Sequence, residues 1–326
     1  MNEQLLSVVS SDTPTDSVEE SEPDMNTQTA ITVIIPAYNY AKTLGRAVRS
    51  VLPQLSDQDE LIVIDDGSTD ETPAVIEKLE QESASRFRAV RKENGGLASV
   101  RNMGIQIAAN DWLIFLDADD EMADSALIHI REHLGVDTET RMVIGGHCSI
   151  EESGRRRIHV PDALPSNPMS RVKAYLLDKT LSISNGACVM HRSIFAQATY
   201  PETFRNAEDI PVFAQTLGYF PCSVLPHPLA LIYKHADSLR HQFHHAKAGG
   251  LALVDEVFSA RRLTGDFLKL RSEFYVQRCL SLFRTAYLAG EFEIAKSYYR
   301  SALKEDWKVL FKFAYSRKML RLCLKG

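Results

Sequence analysis

Between residues 31 and 116, short β-branched or apolar runs alternate with amphipathic stretches, and this alternation restricts the fold more than any other feature of the chain. Ile31-Thr-Val-Ile-Ile35, closed by Pro36, reads as a buried strand, because so short a continuous apolar run suits a strand covered on both faces. Thr43 to Leu52 reads as a helix with Leu44, Ala47, Val48 and Val51 on one side. Leu61-Ile-Val-Ile64 is a second strand, and a hydroxyl of Ser68 or Thr69 is placed to cap the helix behind it. Arg88-Ala-Val90 makes a weak strand, Leu97 to Ala109 a helix, and Trp112-Leu-Ile-Phe-Leu116 a strong strand. Strands separated by helices at this spacing imply a parallel sheet with helices on both faces. The expected class is therefore α/β.

In such sheets ligands bind outside the carboxyl ends of the strands. Three strand ends here deliver Pro36-Ala37-Tyr38-Asn39, Asp65-Asp66 and Asp117-Ala118-Asp119. Acidic side chains repel a diphosphate unless a hard divalent cation, Mg²⁺ or Mn²⁺, takes oxygens from both. The spacing thus points to a metal-assisted site for a phosphorylated ligand. Asp65 has a plainer reading, as the residue that braces the turn before Gly67.

Five segments in order, Ile34-Ile-Pro-Ala-Tyr-Asn39, Val63-Ile-Asp-Asp-Gly-Ser-Thr-Asp70, Asn94-Gly-Gly, Ala98-Ser-Val-Arg-Asn-Met-Gly104 and Phe115-Leu-Asp-Ala-Asp-Asp120, resemble the family 2 glycosyltransferases. The resemblance is dense over residues 31–121 and thinner to about 240. It implies the GT-A fold, a Rossmann-like mixed sheet flanked by helices, followed here by a C-terminal helical segment. It also implies an inverting, metal-dependent transfer of a sugar from a nucleotide-sugar donor, a UDP-sugar first, to a hydroxyl of a glycan or lipid-linked acceptor. The setting implied is synthesis of a bacterial surface polysaccharide such as lipopolysaccharide, O-antigen or capsule.

Roles follow from the same resemblance. Pro36, Ala37 and Tyr38 line the nucleoside pocket, and Asp66 accepts from the base or ribose. Arg101 reaches the base or the diphosphate, Asp117 with Ala118 faces the ribose side, and Asp119 holds the metal. Asn206-Ala-Glu-Asp-Ile210 resembles the family's Glu-Asp pair at the start of a helix. There Asp209 is the general base, and Glu208 positions it or contacts the acceptor. Tyr233-Lys-His-Ala-Asp-Ser238 resembles the segment that closes over the donor, with His235 completing the metal shell or touching the diphosphate. His241, His244 and His245 read as a solvated helix start.

The other features exclude more than they assign. Residues 1–29 hold seven acids and no Lys or Arg, which leaves 37 cations against 36 acids in the remainder, so the net charge of −6 belongs to this segment. A near-neutral body offers no electrostatic footprint for nucleic acid. Residues 1–29 are expected to form a disordered acidic tail, residues 30–240 the GT-A domain, and residues 241–326 a helical region containing one hairpin. Five scattered cysteines with no C-x-x-C pair suit neither a disulfide framework nor a zinc site. No apolar run approaches the ~18–20 residues of a membrane span, and no secretory signal is evident. The expected place is the cytoplasm, with contact at the inner face of the cytoplasmic membrane the alternative to a free protein.

Two motifs stand apart. His129-Ile-Arg-Glu-His133 has the spacing of an inverted zinc-peptidase motif, but no downstream carboxylate completes it, and an exposed helix face is the better account. Trp307 to Lys325 interleaves apolar residues with Lys308, Lys312, Arg317, Lys318, Arg321 and Lys325. This pattern suits the face of an anionic bilayer, and equally a helix that packs its apolar side inward. Two rival functions remain in view. A nucleotidyltransferase carries a Gly- and Arg/Lys-rich loop after the first strand, where this chain has Pro-Ala-Tyr-Asn. An inactive sugar-nucleotide-binding scaffold has no need of Asp117, Asp119 and Asp209 together.

Overall fold

Alternate side chains of the first strands go to opposite faces of one sheet, as the two-residue strand period requires. In the computed structural model, which describes residues 29–324 apart from 85 and 235–248, the elements run β1 (Ile31–Ala37), α1 (Leu44–Val51), β2 (Glu60–Asp65), α2 (Thr72–Glu82), β3 (Arg88–Arg91), α3 (Leu97–Ile107) and β4 (Trp112–Phe115). They continue as β5 (Glu121–Met122), α4 (Ala126–Val136), β6 (Met142–Ile150), β7 (Arg156–His159), α5 (Pro168–Lys173), β8 (Cys188–His191), α6 (Asp209–Tyr219) and β9 (Cys222–Tyr233). The last helices are α7 (Ala252–Val257), α8 (Arg271–Leu288), α9 (Phe292–Glu305) and α10 (Phe313–Leu324). The acidic tail, except for Thr29, lies outside the described residues, as do His235, His241, His244 and His245.

Ile34, Ile62, Ile64, Leu113 and Phe115 enter a core closed by α3 and α6. Ile31, Val33, Ile35, Leu61, Val63 and Ile114 enter a second core closed by α1, α2 and α4. Both faces are thus covered, which explains why these strands read as unbroken apolar runs.

The sheet order is β3-β2-β1-β4-β8-β6-β9-β5, with β7 paired to β6. β3, β2, β1 and β4 are parallel, so their carboxyl ends share one edge. β8 enters antiparallel between β4 and β6, and β9 runs parallel to β6. The sheet is therefore mixed, as the resemblance implies. β9 contains Pro226 and Pro228, and its ladder with β6 slips at Gly145 and Gly146 to accommodate them. It recovers register and ends at Tyr233, beside the acidic loop after β4.

Two local expectations are corrected. The cap of α2 is neither Ser68 nor Thr69: the helix starts at Thr72, whose N–H donates to Asp70 Oδ1 at 2.9 Å. Ser68 Oγ instead accepts from Asn39 N at 2.9 Å, joining two strand ends. His129 and His133 do not sit on an open helix face either. His129 stacks on His227 of β9 with ring centroids 4.2 Å apart, and His133 Nε2 lies 2.7 Å from Ser223 Oγ.

Beyond β9 the described chain is helical. α8 and α9 form a hairpin turning at Gly290, whose φ of +78° suits glycine. Phe283, Ala286, Ala295, Tyr299, Ala302, Val309 and Leu322 give this region a core of its own. Gln277 Nε2 donates to Leu177 O at 2.6 Å and ties α8 to the sheet domain.

Candidate active site

The carboxyl edge of the parallel strands is built by side chains that lock the strand ends to one another. β1 ends at buried Ala37, and Tyr38 emerges with 44% of its surface exposed. Asn39 takes a left-handed backbone (φ +61°), which its short polar side chain tolerates. Its Oδ1 accepts from Thr69 N at 2.8 Å. Asp65 Oδ1 accepts from Ser68 N at 2.9 Å, so Asp65 braces the turn at Gly67. At Gly67, φ is +74° and an added Cβ would lie 3.0 Å from Asn94 N, so any other residue would be strained and crowded there.

Asp66 is turned inward. Its Oδ1 accepts from Lys92 Nζ at 2.8 Å and Gly95 N at 2.9 Å, and its Oδ2 from Gly96 N at 2.7 Å. Only 2% of Asp66 is exposed. The carboxylate expected at the base or ribose is committed to the loop Lys92–Gly96 and so shapes the entry to α3. Charge-assisted bonds from two backbone N–H groups at a helix start are among the stronger a protein makes.

Arg101, on α3, was expected to reach the ligand directly. It is 2% exposed, and its two terminal nitrogens hold carboxylates from opposite halves of the chain. Nη2 donates to Asp117 Oδ1 at 3.1 Å and Nη1 to Glu208 Oε1 at 2.7 Å. The guanidinium also lies 5.3 Å from the centre of the Tyr200 ring. Burial disfavours its charge, but Asp117, Glu208, Tyr200 and Asp209 outweigh that and hold the proton more tightly than usual. Next to it, Asn102 Nδ2 donates to Tyr200 O at 2.9 Å and Asn102 Oδ1 accepts from Tyr200 N at 2.9 Å. The Arg-Asn pair of α3 therefore fixes both the acidic strand end and the segment that leads to Glu208.

Ala118 is buried, while the Asp117 side chain keeps 38% of its surface. Asp120 is buried and its Oδ1 accepts from Tyr233 N at 2.9 Å, which anchors the end of β9. Burial raises the Tyr40 phenol far above its ordinary pKa, and Asp119, Asp117 and Asp120 push it further the same way. Arg46 of α1 supports their loop: its Nη2 donates to Asp119 O, its Nε pairs with Glu121 at 3.0 Å, and it stacks 3.6 Å from the centre of the Tyr233 ring.

On the other side of Arg101, α6 begins at Asp209, the position expected for a base. Ala207, two residues earlier, has φ of +65°, a costly conformation for a residue with a Cβ. Glu208 is buried against Arg101, and Asp209 stands half-exposed in the first helical turn, where the peptide dipoles favour a carboxylate. Burial raises the Tyr175 phenol far above its usual range, and Asp209 adds to it. Tyr40, Arg46, Asn102, Tyr175 and Tyr200 were not singled out by sequence, although Asn102 sits inside a quoted motif.

A divalent cation can be tested against these donors. Among the described residues no three His, Cys, Asp and Glu side chains stand close enough to enclose an ion. Mg²⁺ commonly takes one or two carboxylates, with water and substrate phosphates supplying the rest. Asp119 with its acidic neighbours fits an ion of that kind, and not an all-protein cage.

With this geometry in hand, residues 32–198 match the model of the family described as Glycosyl transferase family 2. The chain belongs to that family. An uncharacterized glycosyltransferase, alr2836, of Nostoc sp. strain PCC 7120 is 40% identical over 90 residues, 28% of each chain. The glycosyltransferase GlyG of Streptococcus pneumoniae is 31% identical over 124 residues, 38% of this chain and 40% of that one. The chain thus spans well under half the length of such family 2 relatives. Among solved structures, residues 1–349 of S. aureus TarS in complex with UDP-GlcNAc superpose with a TM-score of 0.65 at 18% identity, over 90% of this chain and 89% of that one. The match bears out the GT-A fold expected of a family 2 member, helical C-terminal region included.

Proposed function

We infer that this chain is an inverting glycosyltransferase that moves a sugar from a UDP-sugar to a hydroxyl of a surface glycan or lipid-linked acceptor. The observation that carries the reading is the double grip of Arg101, which sets the acidic end of β4 and the start of α6 on one rigid unit. A donor held at Asp117 and an acceptor held at Asp209 then face each other across a fixed gap. Positioning of this kind supplies much of the acceleration of a two-substrate reaction.

Pro36, Ala37 and Tyr38 flank the nucleoside, and Asp117 with Ala118 faces the ribose. Asp66 and Arg101 act at one remove, by shaping the loop before α3 and by holding Asp117 and Glu208. Glu208 positions the helix start that carries Asp209. An Asp209 oxygen takes the acceptor hydroxyl proton as the acceptor oxygen bonds to the anomeric carbon. The bond from that carbon to the diphosphate oxygen breaks, its electron pair leaves on UDP, and the anomeric configuration inverts. When bound, Mg²⁺ or Mn²⁺ at Asp119 and His235 supplies positive charge beside the diphosphate. The UDP-GlcNAc complex of the similarly folded TarS supports a UDP-sugar as donor class.

The test is transfer from labelled UDP-GlcNAc, UDP-glucose and UDP-galactose, with added Mg²⁺ or Mn²⁺, in wild type and Asp209→Asn. The expected result is one active donor and a kcat lowered about 10²–10⁴-fold by the substitution. Donor protection against heat should be retained in Asp209→Asn. Full activity in Asp209→Asn removes the base assignment. Donor binding without transfer or hydrolysis in the wild type favours the scaffold.

A further inference from the structure

The segment from Trp307 to Leu324 contains no Asp or Glu and five Lys or Arg residues. It could have hidden its apolar side against the helical core, and only part of it does. Val309 and Leu322 are buried and Tyr315 and Met319 pack beside them. A second set faces outward: Trp307 is 62% exposed, Leu310 50%, Phe311 61%, Phe313 78%, Leu320 59% and Leu324 78%. On α10 the positions 313, 317, 320 and 324 recur at helical spacing, so Phe313, Arg317, Leu320 and Leu324 share one exposed stripe. Trp307 and Phe311 adjoin it, with ring centroids 5.7 Å apart.

Lys308, Lys312, Arg317 and Arg321 are exposed on the same segment. None makes an ion pair with a carboxylate among the described residues. A single exposed leucine needs no explanation, but an aromatic and aliphatic stripe edged with cations that pair with no carboxylate among the described residues does. A protein partner buried here would have to present both apolar surface and several carboxylates. An anionic bilayer presents both everywhere, with acyl chains for the rings and headgroup phosphates for the cations.

We propose that the face formed by residues 307–324 is a docking surface for an anionic lipid bilayer, with Phe311, Phe313, Leu320 and Leu324 entering the interface and Lys308, Lys312, Arg317 and Arg321 resting on the headgroups. No helix of the described chain is long and apolar enough to cross a membrane. It is independent of the donor site and is measured without any substrate.

The experiment is co-sedimentation of the full chain with phosphatidylcholine vesicles and with mixed phosphatidylcholine–phosphatidylglycerol vesicles, at low and high salt. Trp307 emission is followed in parallel, because an exposed indole shifts to the blue on entering the interface. Binding to the anionic vesicles alone is expected, weakened by salt because the headgroup attraction is screened. Each cation removed should lower partitioning about fivefold, so Lys312→Glu/Arg317→Glu loses at least about 25-fold. Phe311→Ser/Phe313→Ser should lose about 100-fold, with its melting temperature unchanged because both rings are exposed. The proposal is overturned by equal binding to neutral vesicles, or by no binding to anionic vesicles at low salt. It is also overturned if light scattering shows a concentration-dependent dimer that Phe311→Ser/Phe313→Ser dissociates, since a second copy then covers the face.

Discussion

Replacing Arg101 by methionine tests whether one guanidinium holds the two halves of the site together. The side chain lost is 2% exposed, and the two carboxylates it leaves behind are not equivalent. The Asp117 side chain keeps 38% of its surface and can turn to water, whereas that of Glu208 keeps 7% and cannot. Removing one partner of a buried ion pair costs about 3–5 kcal/mol, and the burial values assign most of it to Glu208. Urea unfolding of Arg101→Met should show that loss, with a melting temperature lower by about 10 °C. Two controls make the cause specific. Arg101→Met/Glu208→Gln should recover most of the stability, because the stranded charge is gone. Arg101→Lys should not recover it, because one ammonium cannot span both acids. A loss below about 1 kcal/mol, or a loss unaltered by Glu208→Gln, would refute a buried charge relay at this point.

Further outcomes concern Asp66 and the buried thiols. Asp66→Asn gives up one acceptor oxygen to Lys92, Gly95 or Gly96 and should cost about 2–3 kcal/mol in urea unfolding, with a loosened loop before α3 visible as faster amide exchange at Gly95 and Gly96. Among the thiols, burial pushes Cys279 up to about 11 and Cys222 up to about 12 from the ordinary 9.0, while Cys323 is exposed. Ellman's reagent should therefore label Cys323 quickly and Cys279 and Cys222 only on unfolding. Stability should fall between about pH 9 and 12, where the unfolded thiols ionise and the folded ones resist.

The sheet edge was legible because its determinants are local. Ile31–Ile35, Leu61–Ile64 and Trp112–Leu116 announce strands by run length, and the polar residues that end them fall at the ligand-binding edge by topology alone. What was not legible depends on partners distant in sequence. Arg101 and Glu208 are 107 residues apart, and nothing near either one announces that they pair. Nor did anything in the sequence announce the partners Asp66 has here, since the amides of Gly95 and Gly96 have no side chain to signal them. The cap of α2 was misplaced because Ser68 had a better partner in Asn39, 29 residues earlier. The antiparallel entry of β8 followed from no pattern read in the chain, as four residues are too few to show a period. The C-terminal segment left two readings open, and exposure of Phe313 and Leu320 settles that its outward stripe is not packed against the described chain.

The arrangement of Arg101, Asp117 and Glu208 also bears on how chains like this one can diverge. Arg101 and Glu208 each satisfy a charge that the other would leave buried, so a change at either strands its partner, and the cost falls on folding before it reaches chemistry. Position 101 cannot become neutral while 208 stays acidic, and 208 cannot become basic while 101 remains arginine. Viable routes at these two positions pass through paired replacements. Across related sequences, positions 101 and 208 should therefore change together or not at all.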